Sequence, residues 1–146
     1  MPGPKALTMP LIAVPIEERK PDQPLPQPQQ PRRILVVDDN FDSADSLARL
    51  LKLKQHEICV AHSGPEAVHA LQKFQPEIAI LDLGMPGMDG FQLARQMRGS
   101  PGGDAIKLVA LTGWGGPEDR ERTQAAGFDH HLVKPITSED LHAVTV

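Results

Sequence analysis

The chain has 146 residues, with 15 basic and 19 acidic side chains, a net charge of −4 and a single cysteine. That is the length of one domain, enough to bury a core and too little for two. The mild acidity argues against the phosphate backbone of nucleic acid as the main partner, and Cys59 alone excludes a disulfide framework or a cysteine-built zinc site.

Aromatic residues make up 3% with no tyrosine, which disfavours base stacking as a mode of binding. The apolar runs are too short to span a bilayer, and no compact apolar segment followed by a cleavage site opens the chain. No membrane contact is expected, and a reducing cytoplasmic setting fits.

Nine of the 15 prolines fall in residues 1–31, and residues 21–31 read PDQPLPQPQQP. Such a stretch cannot bury a core and is expected to be a largely disordered, semi-rigid linker. Residues 7–16 (LTMPLIAVPI) are apolar but broken by Pro10 and Pro15, an edge strand docking elsewhere or the remnant of a preceding domain. The folded domain is expected over 32–146.

From residue 32 short apolar runs alternate with helical patterns. Strands are predicted at 34–37, 58–60, 78–81, 108–111 and 128–133. The first, third and fourth are near-continuous apolar runs, as strands covered on both faces require. The second and fifth are more polar and belong nearer an edge. Ala44, Leu47, Ala48 and Leu51 recur at helical spacing, as do Ala67, Ala70, Leu71 and Phe74. Ser63 and Glu66 form a capping-box signature, with Pro65 in the first turn of the second helix. A third helix is predicted over about 90–98, stopped by the run Gly99-Ser100-Pro101-Gly102-Gly103. A fourth starts near Pro117 and ends at Gly127, and a fifth begins after Thr137 or Ser138. Repeated strand-then-helix units predict a parallel sheet wound on both faces, with right-handed crossovers.

In such folds the site lies at the carboxyl ends of the strands. Strand one ends in Asp38-Asp39, strand three in Asp82, strand four in Thr112 and strand five in Lys134-Pro135. Three converging carboxylates repel one another, and one lysine cannot neutralise them. A divalent cation can, and hard oxygen ligands favour Mg²⁺. Asp39 and Asp82 are the expected direct ligands, with Asp38 through water and the Gly84 carbonyl as a further donor. A carboxylate beside Mg²⁺ and a lysine suits nucleophilic attack on phosphorus, with Lys134 and the Thr112 hydroxyl stabilising the transferred oxygens. Asp82, on the central strand, is the expected nucleophile.

The motifs ILVVDDN (34–40), LDLGMPGMDG (81–90), ALTGWG (110–115) and HLVKP (131–135) together resemble the receiver domain of two-component response regulators. The resemblance implies a flavodoxin-like doubly wound (βα)5 sandwich with strand order 2-1-3-4-5 and a cis Lys134–Pro135 bond. It implies Asp82 as phosphoacceptor, Asp38 and Asp39 as the acidic pair holding Mg²⁺, Thr112 as switch hydroxyl and Lys134 as the essential lysine. The phosphoryl donor would be a histidine kinase or a histidine phosphotransfer protein. The wording around residues 111–135 looks most like receivers attached to hybrid sensor histidine kinases. The chain is read as a stand-alone receiver or the C-terminal piece of such a kinase, without an output domain, so that its response passes through protein contact or onward phosphotransfer.

In that family the positions two after the acceptor and two after the switch hydroxyl tune the phosphoryl lifetime; here they are Gly84 and Trp114. Gly84 has no side chain to orient a water, which points to a long-lived phosphorylated state. Trp114 either shields the site or is a surface ring. His131 occupies the place of a switching aromatic residue, and its bland reading is a partly exposed packing ring. The His130-His131 pair is not read as a metal site, because adjacent strand residues face opposite ways. The highly charged fourth helix should be among the less anchored elements, Cys59 a small buried hydrophobe, and Met85-Pro86 a turn former.

The leading function is a phosphorylation-controlled signalling module that switches its helix 4, strand 5 and helix 5 surface. The alternative keeps the fold as a phosphorylation-independent interaction module. A phosphatase using an aspartate nucleophile ranks below both, since Gly84 stands where a second acid would act. Nucleotide-binding motifs are absent.

Overall fold

The computed structural model describes residues 30–84 and 89–146. The apolar 7–16 stretch, the proline-rich run up to residue 29 and the Met85-Pro86 pair lie outside the described residues. So does the expectation of a linker over 1–31, apart from its last two positions.

Among the described residues, five strands alternate with five α-helices: β1 (Arg33–Val37), α1 (Phe41–Leu53), β2 (Glu57–Ala61), α2 (Gly64–Phe74), β3 (Ile78–Asp82), α3 (Gly90–Arg98), β4 (Lys107–Thr112), α4 (Pro117–Ala126), β5 (His130–Val133) and α5 (Ser138–Thr145). The strands form one parallel sheet in the order β2-β1-β3-β4-β5. The parallel, doubly wound sheet was expected from the strand and helix pattern, and the strand order is the one the family resemblance implied.

Strand parity decides which residues feed which core. Leu35, Val37, Ala79, Leu81, Leu108 and Ala110 face α2, α3 and α4. Ile34, Val36, Ile78, Ile80, Val109 and Leu111 face α1 and α5. Between their polar end residues the three central strands are therefore apolar at every position, which is why they read as continuous runs.

Helix starts follow local side-chain chemistry. Asn40, Ser63, Asp89 and Thr137 each accept a first-turn backbone N–H, at Ser43, Glu66, Phe91 with Gln92, and Asp140. Glu66 reaches back as the capping box requires, but its Oε1 accepts from His62 N, one residue ahead of the cap. At the end of α4, Gly127 adopts φ 101°, a left-handed cap that a side chain would strain.

Three expectations need adjustment. The fifth strand starts at His130, because Phe128 N donates to Thr123 O to close α4 while its ring enters the core. Cys59 is half-buried, since β2 is an edge strand, and the burial it has pushes its thiol pKa up. Helix α4 buries only Thr123 and Ala126, as its charge suggested, yet it has polar anchors. Arg122 stacks 4.5 Å over the Phe91 ring and Arg120 Nε donates to Gly115 O.

The joint between α3, α4 and β5 is made by Arg98, whose five N–H donors are all used. Its guanidinium donates to the carbonyls of Gly103, Ile106 and, twice, Gly127, and to Asp129 Oδ2 at 2.7 Å. The same Asp129 oxygen accepts from Leu108 N at 2.8 Å, so the knot also grips β4.

Candidate functional site

The residues singled out by their position at strand ends are pinned by backbone bonds that continue past the strands. Asp38 N donates to Ala61 O, Leu83 N to Leu111 O and Lys134 N to Thr112 O, at 3.0, 2.9 and 2.8 Å. The site therefore stands on the hydrogen-bonded edge of the sheet.

Asp82 closes β3 and is buried, with its carboxylate held from two sides. Lys134 Nζ donates to Oδ2 at 2.6 Å and Gly84 N donates to Oδ1 at 2.7 Å. The Lys134–Pro135 bond is cis, as the resemblance implied. A Cβ placed on Gly84 would stand 3.3 Å from Asp82 Oδ1, so the absence of a side chain there keeps the carboxylate unobstructed.

Asp38 follows Val37, which pairs with Leu81, so it comes out of the sheet beside Asp82, and its Oδ1 accepts from Asn40 N at 2.9 Å. Burial is the main reason its carboxyl is held above the usual carboxylate range, with the Asp82 charge adding to the effect; the Asn40 N–H and Lys134 act in the opposite direction. Two crowded carboxyls facing one ammonium make an under-neutralised pair.

Among the described residues no three His, Cys, Asp or Glu side chains are gathered for a metal. Mg²⁺ suits the site nonetheless, because this ion is commonly held by one or two carboxylates and keeps several waters. Asp38, Asp39 and Asp82 would supply the carboxylates, and the Gly84 carbonyl would be a further donor from the residues just after β3. Asp39, half-buried, is the next residue after Asp38.

Thr112 Oγ1 accepts from Trp114 N at 3.0 Å. Trp114 exposes 67% of its surface, and its carbonyl meets His131 Nε2 at 2.8 Å. His131 Nδ1 meets Thr123 Oγ1 at 3.0 Å, and that hydroxyl also contacts Arg120 O. His131 is thus more than a packing ring: both nitrogens are engaged, and a chain of bonds leads from Thr112 to α4. His130, one residue earlier on β5, takes no part in that chain of bonds.

Two features of the site were not anticipated. His62, directly after β2, places Nδ1 2.9 Å from Asp38 O, and its ring stacks on Phe41 with centroids 3.7 Å apart. The strand-end rule that found Asp38, Asp82, Thr112 and Lys134 would have found His62 had it been applied to β2. Beside the carboxylates lies a groove of about 390 Å³, floored by Leu47, Leu50, Leu111 and Ile136 and rimmed by Asp38 and Lys134.

A parallel sheet in this order, with facing carboxylates and a lysine at its carboxyl edge, defines a doubly wound α/β module whose chemistry sits at the strand ends. Residues 34–145 match the response regulator receiver domain, and the chain belongs to that family. It is 36% identical over 108 residues to an uncharacterized 14.6 kDa protein of Leptolyngbya boryana, covering 74% of this chain and 82% of that one. It is 37% identical over 111 residues to response regulator MprA of Mycobacterium tuberculosis, covering 76% of this chain and 47% of MprA. The match thus spans about half the length of MprA. Among solved structures, chemotaxis response regulator CheY4 of Vibrio cholerae superposes with a TM-score of 0.73 at 28% identity, over 79% of this chain and 99% of CheY4. A receiver domain from Bermanella marisrubri gives 0.69 at 32% identity, over 78% and 94% of the two chains. No helix among the described residues is long and apolar enough to cross a membrane.

Proposed function

We propose that this receiver domain accepts a phosphoryl group on Asp82 from a phosphohistidine donor, a histidine kinase or a histidine phosphotransfer protein, with Mg²⁺ held by the acidic pair Asp38 and Asp39, Asp82 and the Gly84 carbonyl. The observation that carries this reading is the buried Asp82 carboxylate with Lys134 at 2.6 Å on one oxygen and the Asp38 carboxyl alongside. Bound Mg²⁺ would neutralise the carboxylates and the charge on the phosphoryl oxygens.

The chain's own residues then divide the work. A carboxylate oxygen of Asp82 forms the new P–O bond as the P–N bond to the donor imidazole breaks, and the departing imidazole nitrogen takes up a proton. Lys134 donates to the transferred oxygens, and so does the Thr112 hydroxyl, whose own proton is free of the bond from Trp114. The apolar groove beside Asp38 gives a donor protein a surface that leads to the carboxylates. Recruitment of Thr112 disturbs the Trp114, His131 and Thr123 chain, which biases the α4, β5 and α5 surface toward its signalling form.

Incubation with acetyl phosphate and Mg²⁺, followed by intact mass, tests the reading. One added phosphoryl group is expected, absent without metal and absent in Asp82→Asn. A folded, Mg²⁺-binding protein that gains nothing would instead be a phosphorylation-independent interaction module.

A further inference from the structure

Asp38, the residue directly after β1, still has a sheet partner. Its N–H reaches Ala61 O, but β2 ends at Ala61, so no ladder N–H serves the Asp38 carbonyl. The His62 side chain takes that role, with Nδ1 2.9 Å from the carbonyl oxygen. A carbonyl only accepts, so Nδ1 carries the proton and Nε2 is bare in the neutral ring.

The ring is fixed in turn. Phe41, the first residue of α1, lies against it at 3.7 Å and 17°, and the His62 backbone N–H is tied to Glu66 Oε1 at 2.9 Å. Phe41 is 63% exposed and contributes nothing to either core, which leaves the stack as its structural use. Both rings stand on the β2 side of the acidic pair, opposite Lys134, which follows β5.

We propose that His62, clamped by Phe41, is a positioning residue that aims Asp38 at the cation site. With the carbonyl held, the Asp38 backbone cannot rotate, and its carboxylate stays beside Asp82 rather than turning to solvent. This inference rests on the Mg²⁺ reading above. Residues that orient ligands from behind typically change metal affinity by about 10- to 100-fold when removed.

The test is calorimetric titration of the metal-free protein with Mg²⁺ alone, for wild type, His62→Leu and His62→Asn. The amide nitrogen of asparagine stands where Nδ1 stands, so His62→Asn keeps the donor and His62→Leu loses it. About tenfold weaker binding is expected in His62→Leu, with His62→Asn restored close to wild type. Unchanged affinity in His62→Leu, or equal loss in both variants, overturns the positioning role while leaving the cation site in place. A wild type that binds no Mg²⁺ overturns the cation site itself and this role with it. If His62→Leu does not fold, nitrogen-15 shifts of the wild-type ring decide: a proton on Nδ1 supports the role and the Nε2-protonated tautomer overturns it.

Discussion

Lys134 Nζ stands 2.6 Å from Asp82 Oδ2 although the two residues are 52 positions apart and their strands are separated by β4. Lysine is the side chain for this reach, a point charge on a long flexible stem. The Lys134 side chain is 41% exposed and that of Asp82 only 8%, so the pair is a wet ammonium reaching down to a buried carboxylate. Its value lies in the chemistry that the ammonium supports at Asp82 more than in fold stability.

Lys134→Met should therefore leave the fold intact and slow phosphorylation by acetyl phosphate about 100-fold or more, the usual loss when one preorganised donor is removed. Initial rates from intact mass, with a thermal melt alongside, check both halves.

Asp38 carries a cost that function imposes. Its raised pKa means that the folded state holds the proton more tightly than the unfolded chain. That contribution is present at acid pH and is lost as pH rises through the folded value. Asp38→Asn should accordingly melt higher than wild type at neutral pH without metal. Mg²⁺ should raise the melting temperature of wild type and leave that of Asp38→Asn nearly unchanged.

His56 works with the opposite sign. Its Nδ1 accepts from Arg32 N at 3.0 Å, while Nε2 is buried without a partner. Burial, with Arg32 and Lys54 nearby, lowers its pKa, against a smaller pull from Glu77. Below the ordinary imidazole value of about 6.5 the unfolded chain takes up a proton that the folded chain resists, so stability falls with pH. The slope from this one group is at most about 1.4 kcal/mol per pH unit. Urea unfolding across mildly acidic pH should show a shallower dependence in His56→Asn, which keeps an acceptor for Arg32 N.

Arg98 fastens the carbonyls of three residues in two connections, and no other side chain type offers five donors in a fork. Arg98→Ala should cost about 2–3 kcal/mol, because the carbonyls lose their partners. Arg98→Lys should recover only part of that loss, read as the shift in urea midpoint.

Gly84 leaves Asp82 Oδ1 open, with a backbone N–H and no side chain to steer an attacking water. A phosphorylated protein that persists for minutes or longer after removal of the phosphodonor is the expected outcome. Decay within seconds would contradict it.

What the sequence made legible was decided by chemistry that repeats locally. Apolar runs gave the buried strands, helical spacing gave α1 and α2, and polar residues at strand ends gave Asp38, Asp82, Thr112 and Lys134. What it hid depends on partners without a side-chain signature. Arg98 is held almost wholly by backbone carbonyls, which every residue has. The His62–Phe41 stack joins two strand-end neighbours through a crossover of the chain, and the half-exposure of Cys59 follows from the edge position of β2. The pairing of Asp38, rather than Asp39, with Asp82 is set by strand parity, since positions 34, 36 and 38 share the α1 and α5 face with Ile78, Ile80 and Asp82.

The most direct test of the central claim locates the phosphoryl group. After reaction with acetyl phosphate and Mg²⁺, borohydride reduction converts an acyl phosphate on aspartate to homoserine, which peptide mass spectrometry places in the sequence. Homoserine at position 82 alone is the predicted result. Homoserine at Asp38 or Asp39, or none in a protein that has gained a phosphoryl group, would contradict it.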